Sequence, residues 1–335
     1  MFALLLSAVL TAQVQETITV ERVLVDVRVT DDSGDPVTDL TPADFDVRIA
    51  RRPATVEAAE WIDDIAGPPP VRPNERSDAV DEPPPAASAA RTIVLFVQTD
   101  FARYPTRTHG QLNFLRYADE MIDSFAPDDR MAVFSFDSHL KFRLDLTTDK
   151  RRVIEALKES IAIDHPPPPP VVAEPSLARH LNVEAMRRAA HSETALLLVA
   201  HALRSIPGTK SLLLLGWGLG ERTPSGVRMK RDWKAARYAL DAARVSIFAL
   251  DTSYADYHDL ELGLQAAAAE TGGFYAKRHL FPGIAVERLQ RTLSGHYELT
   301  LRAAESLRPD THALDVRVKR RGARVLAPMS VVIRR

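Results

Sequence analysis

The sequence predicts an α/β protein: a Rossmann-like, doubly wound domain with a mostly parallel sheet and one antiparallel edge strand, plus a small β-sandwich-like module built from the two chain ends. Three observations predict it. Apolar runs at 92–97, 211–215 and 245–250 are separated by segments of helical period, as expected for central parallel strands covered on both faces. The two flanks instead alternate apolar and polar residues, the period of half-buried strands. Proline marks the joints: of 23 prolines, seven fall in 67–90 and six in 166–175, so neither stretch is helix or central strand.

Taken in order, residues 2–10 (FALLLSAVL) form an apolar run followed by Thr11, Ala12 and Gln13. The run is too short to span a bilayer, which takes about 20 residues, and fits the apolar region and small-residue exit of a secretory signal. Residues 1–12 are therefore expected to be a signal peptide, and the mature chain extracytoplasmic, periplasmic or secreted. Residues 17–65 read as the N-terminal β module. Val23, Val25, Val27 and Val29 alternate with Leu24, Asp26 and Arg28. A turn follows at 32–35, a helical turn capped by Thr41 with Pro42 behind it, and a second alternating run from Phe45. The Pro-rich stretch 66–90 reads as an extended linker.

The α/β domain is expected over 91–293. Strands are predicted at 92–97, 131–136, 141–146, 211–215, 245–250 and 274–276, the third being the hairpin partner of the second and so the antiparallel edge. Helices are predicted at 111–125, 150–162, 194–205, 230–243 and 260–270. A Pro-rich insertion at 164–176 should form a stiff segment over the carboxyl end of the sheet, with a short helix within 177–190. Residues 294–335 return to strands at 297–301, 314–318 and 325–333, expected to pack with the N-terminal module.

Composition excludes several chemistries. Forty-three Lys and Arg against 45 Asp and Glu leave a net charge of -2, which speaks against a nucleic-acid partner. Cysteine is absent, which removes thiol nucleophiles, disulfides and thiolate metal sites. Gly216, Gly218 and Gly220 do not have the dinucleotide spacing and lead into a loop rather than a helix. The histidines form no HExxH pair, and there is no GxSxG elbow. The informative place is the carboxyl end of the parallel strands, where open α/β sheets bind ligands. There the chain supplies Gln98, Asp100, Asp137, Trp217 and Asp251. The three carboxylates either hold a cation for phosphoester hydrolysis, with Asp100, Asp137 and Asp251 as a rearranged site, or cap the turns that follow.

The stretches RTIVLFVQTD, FAPDDRMAVFSFDSHLKFRLDLTTD, ETALLLVAHAL, GTKSLLLLGWG, ARVSIFALDTS and LQAAAAETGGFYA resemble a von Willebrand factor type A (vWA) domain. The flanks VLVDVRVTDDSGDPVTDLTPADFDV and HYELTL…ALDVRVKRRGARV resemble a bacterial family of secreted vWA-related proteins. That resemblance implies protein binding through a metal-ion-dependent adhesion site. Its Asp-x-Ser-x-Ser loop falls on Gln98, Asp100 and Ala102, its helix-start Thr on Thr194, and its later Asp on Trp217. Ala102 and Trp217 offer no oxygen and Gln98 only a neutral amide, whereas Mg²⁺ takes about six oxygens. The site is thus expected to be degenerate, no metal or other cofactor is expected, and binding of a protein partner is expected to be metal-independent and non-enzymatic. The alternatives are the hydrolase above and a structural subunit of a cell-envelope assembly.

Overall fold

The computed structural model describes residues 22–64, 91–99, 104–162, 175–277, 282–304 and 307–333. The expected signal peptide and linker, Asp100, Ala102 and nearly all of the Pro-rich insertion lie outside the described residues. Along the chain come β1 (Arg22–Thr30), β2 (Phe45–Ile49), β3 (Arg52–Asp63), β4 (Thr92–Gln98), α1 (Pro105–Asp123), β5 (Arg130–Phe136), β6 (Leu140–Thr147) and α2 (Lys150–Ala162). Next are α3 (Val183–Arg188), α4 (Ser192–Leu203), β7 (Lys210–Gly216), β8 (Glu221–Thr223), β9 (Gly226–Arg228), α5 (Trp233–Ala242) and β10 (Val245–Asp251). The last elements are α6 (Glu261–Glu270), β11 (Tyr275–Lys277), α7 (Pro282–Thr292), β12 (Gly295–Arg302), β13 (Asp310–Val318), β14 (Arg324–Leu326) and β15 (Ser330–Ile333).

Two sheets organise these elements. The first has the order β11-β10-β7-β4-β5-β6; it is parallel throughout except for β6, which runs antiparallel to β5 at the edge. Because side chains alternate along a strand, β4 sends Val94 and Phe96 to a core shared with α4, α5 and α6. It sends Ile93, Leu95 and Val97 to a second core under α1, α2 and α7. Helices on both faces explain why the strand sequences are continuously apolar. Strand order, single antiparallel edge and two helix layers are those of a vWA-like, Rossmann-like domain.

The second sheet is antiparallel and curled, with order β14-β1-β12-β3-β2-β13-β15. It joins strands from before and after the α/β domain, since residues 22–27 of β1 pair with β12. Its core gathers around Tyr297, which meets the rings of Phe45 and Trp61 edge-on and whose hydroxyl accepts the Leu40 N–H at 2.8 Å. Three departures from the sequence reading have physical causes. Strand β3 has only exposed or half-buried residues, so it carries no apolar period. The run 325–333 is two strands, broken where Met329 N–H turns to the Glu270 carbonyl after Pro328. Helix α7 follows a segment outside the described residues and is an addition to the predicted set.

The sheets meet through ions. Asp26 and Glu298 face each other across β1 and β12, a like-charge pair that is unfavourable without a cation. Arg244, in the turn between α5 and β10, supplies it by donating to both carboxylates. Arg244 holds φ at 54°, a left-handed conformation normally left to glycine at a helix end. Burial opposes ionisation of Asp26, but the Arg244 guanidinium outweighs it and holds the carboxyl below its usual range. Arg28, also buried, reaches Ser246 from β1 at 3.3 Å.

Candidate functional site

The carboxyl ends of β4 and β7 bring Gln98 beneath the loop of Gly216, Trp217 and Gly218. Gln98 is 3% exposed, and its amide is fully engaged. Oε1 accepts the N–H groups of Trp217 at 2.9 Å and Gly218 at 3.1 Å. Nε2 donates to the Gly218 carbonyl at 2.7 Å and to Ser192 Oγ at 3.0 Å. An amide oxygen has two lone pairs, so no acceptor is left over for a cation. The loop sequence makes this possible: a Cβ at Gly216 would stand 2.6 Å from Gln98 Oε1. Glu193, buried in the first turn of α4, accepts the Gly220 N–H at 2.7 Å and holds the far side of the loop.

Thr194, the expected helix-start hydroxyl, does not join this centre. Its Oγ1 donates to Asp232 at 2.7 Å, and Ser192, two residues earlier, is the hydroxyl that meets Gln98. Sequence spacing alone does not choose between hydroxyls in one helical turn. Trp217 is half-buried, and the Arg107 guanidinium lies 3.4 Å from its ring centroid and 4.9 Å from that of Tyr104. The His109 ring packs at a tilt against Tyr254, with centroids 4.7 Å apart. A close approach brings these parts together: a Cβ at Gly110 would lie 1.8 Å from the Thr252 carbonyl oxygen, so only glycine lets α1 sit against the loop after β10. Tyr104, Tyr254 and Tyr257 are 56%, 49% and 63% exposed, giving the carboxyl-end face an aromatic surface.

Two members of the expected rearranged cation site, Asp137 and Asp251, do not come together. Asp137 follows β5 and Asp251 ends β10, and the sheet order places three strand spacings between them, about 14 Å at ~4.8 Å each. No ion bridges that distance, and Asp100 lies outside the described residues. Asp137 is bound by Lys141 Nζ at 2.8 Å; burial favours its neutral form, but Lys141 and the Ser138 N–H prevail and hold the carboxyl below the usual range.

Asp251 has partners that the sequence reading missed. His258 Nε2 and the Tyr275 hydroxyl both lie 2.8 Å from its Oδ2, and Ser253 donates twice to its Oδ1. Lys277 pairs with the neighbouring Glu261. Burial opposes ionisation of Asp251, yet His258 and Ser253 outweigh it and keep the carboxyl low. Burial, reinforced by the Asp251 carboxylate, pushes the Tyr275 hydroxyl up. Potential ligand atoms of Asp251, His258 and Glu261 lie within 4.8 Å of one another. The spacing from Asp251 to His258 is seven residues through an irregular loop, which no short motif encodes.

Among the described residues no helix is long and apolar enough to cross a membrane. No protein-family model and no curated protein matches the sequence. Solved structures show weak likenesses. A von Willebrand factor type A protein from Catenulispora acidiphila is 9% identical, with 94% of this chain and 74% of that one covered at a TM-score of 0.40. The human COPII-coat protein Sec24c is 11% identical over 72% of this chain at a TM-score of 0.40, and the match spans only 43% of Sec24c. BatB from Bacteroides thetaiotaomicron is 10% identical over 60% of this chain and 98% of that one, with a TM-score of 0.37. In strand order and pairing, the six-stranded sheet with its helices is a vWA-like α/β domain.

Proposed function

We propose that the chain is an exported, non-enzymatic protein-binding module whose carboxyl-end face engages its partner without a cation. The observation that supports this reading is the Gln98 amide, whose two acceptor and two donor positions are spent on the 216–218 loop and Ser192. Around it, Tyr104, Arg107, Trp217 and Tyr254 supply the residue types that dominate protein interfaces. Calorimetric titration of the purified chain with Mg²⁺, Mn²⁺ and Ca²⁺ tests the reading. No saturable heat is expected, and capture of a partner from the envelope fraction should survive a chelator and be lost in Trp217→Ala. Saturable heat, or capture abolished by the chelator, would overturn it.

The runner-up is a metal-dependent hydrolase, favoured by the proximity of Asp251, His258 and Glu261. It requires a cation to displace Lys277 and Tyr275 from the two carboxylates. The same titration separates the readings, because heat lost in His258→Ala points to this cluster.

A further inference from the structure

A cavity of about 280 Å³ opens between the two sheets, bounded by β1, β15, the end of α5 and the start of β10. Two features of its walls call for a peptide. The first is backbone. β14 covers only residues 28–30 of β1, and β15 pairs on one side only, with β13. Among the described residues no strand pairs with the second edge of 22–27 or of 330–333. Neither stretch contains Pro or Lys, residues that commonly block edge pairing, and Leu24 is 46% exposed at the mouth. The second feature is charge. Arg22 pairs with Glu57, and Asp26 with Arg244. Asp241 is the remaining acid of the wall: its Oδ2 accepts from Ser330, while its buried Oδ1 has no hydrogen-bond partner.

We propose that this slot is a second binding site, distinct from the carboxyl-end face, which takes a short extended segment of a partner protein as an added strand on β1 and receives a Lys or Arg side chain of that segment at Asp241. Main-chain hydrogen bonds to the free edge supply affinity, and the carboxylate supplies selection. A cation there pairs a buried carboxylate oxygen that otherwise lacks a donor, a costly state in a low-dielectric wall. Burial pushes the Asp241 carboxyl up to about 7, against the opposing hydrogen bond from Ser330 and the charge of Arg237.

The test uses the full chain and three fluorescein-labelled hexapeptides of alternating Val and Thr: one with a central Lys, one with Glu in its place, and the Lys peptide N-methylated at alternate amides. Fluorescence polarisation should show saturable binding of the Lys peptide, weakened about tenfold or more by either change. Asp241→Asn, with a cooperative melt to show that it folds, should also weaken binding about tenfold. Hydrogen exchange at residues 22–27 should slow when the Lys peptide binds. The proposal fails if no peptide saturates, if all three bind alike, or if the edge amides are as protected in the free chain as those of β12. That last result would mean that a segment of this chain, or a second copy of it, already holds the edge.

Discussion

In the six-stranded sheet every residue of β4, β7 and β10 is buried, whereas β2 in the seven-stranded sheet is buried and exposed by turns. The difference is one of layers. Helices cover both faces of the first sheet, so each central residue loses its contact with water. Away from the junction, the second sheet has one packed face, so only alternate residues of β2 contribute, whereas β1 is buried on both faces over 25–29. A large-to-small change should therefore cost more in the first sheet than in the second, and the junction between them should behave as a third, electrostatic region.

The largest effect tests the layers. Phe248→Ala removes a fully buried ring from β10 and should cost about 3–5 kcal/mol. Val47→Ala, on the packed face of β2, should cost about 1.5–3 kcal/mol. Urea unfolding of both variants checks the ranking, and equal losses would break the comparison.

The next test is at the junction. Arg244→Ala strands Asp26 and Glu298 opposite each other and should cost about 3 kcal/mol. Arg244→Gly loses the same ion pairs but relieves the left-handed backbone, so it should be more stable than the Ala variant by about 1 kcal/mol. If the two variants melt together, strain at Arg244 is negligible.

A third test sharpens the picture by pH. Asp241 has a folded value of about 7, above its unfolded 3.8, because it is buried. The unfolded chain ionises first, so wild-type stability falls as pH rises from about 4 to about 7 and the loss is complete above that. Asp241→Asn removes the charge and should be more stable than wild type at pH 8, a gain that disappears below pH 4. Thermal melts of both proteins from pH 4 to pH 8 check it, and a constant offset between them would sink the assignment. Asp26 acts in the opposite sense. Its folded value is lowered, so its contribution is present above the unfolded value and lost only as pH falls through the folded one.

The sequence made different parts legible for reasons seen in these same residues. The runs at 92–97, 211–215 and 245–250 were readable because burial on both faces leaves no polar position. Helix α2 (Lys150–Ala162) was readable to the residue, and the β6 hairpin from its short connection to β5. Strand β3 was not, since its partners β2 and β12 recruit it through backbone while few of its side chains are buried. Gln98 and Trp217 were legible as residues at the carboxyl ends of β4 and β7. That Gln98 should spend its whole amide on the loop, with Ser192 rather than Thr194 beside it, depends on helix phase and on a glycine contact at 216. The pairing of His258 with Asp251 depends on the path of an irregular loop.

By itself, then, the sequence determined the elements and the alternation that sorts them into a two-sided and a one-sided sheet, because periodicity is a local record of burial. Tertiary structure decided what meets at the strand ends and between the sheets: the Gln98 amide under its glycine loop, the Asp251 cluster, and Arg244 set between Asp26 and Glu298. These contacts join residues from 54 to 218 positions apart except within the Asp251 cluster. No local pattern constrains them, since each is set by strand order and by where the packed helices place the chain.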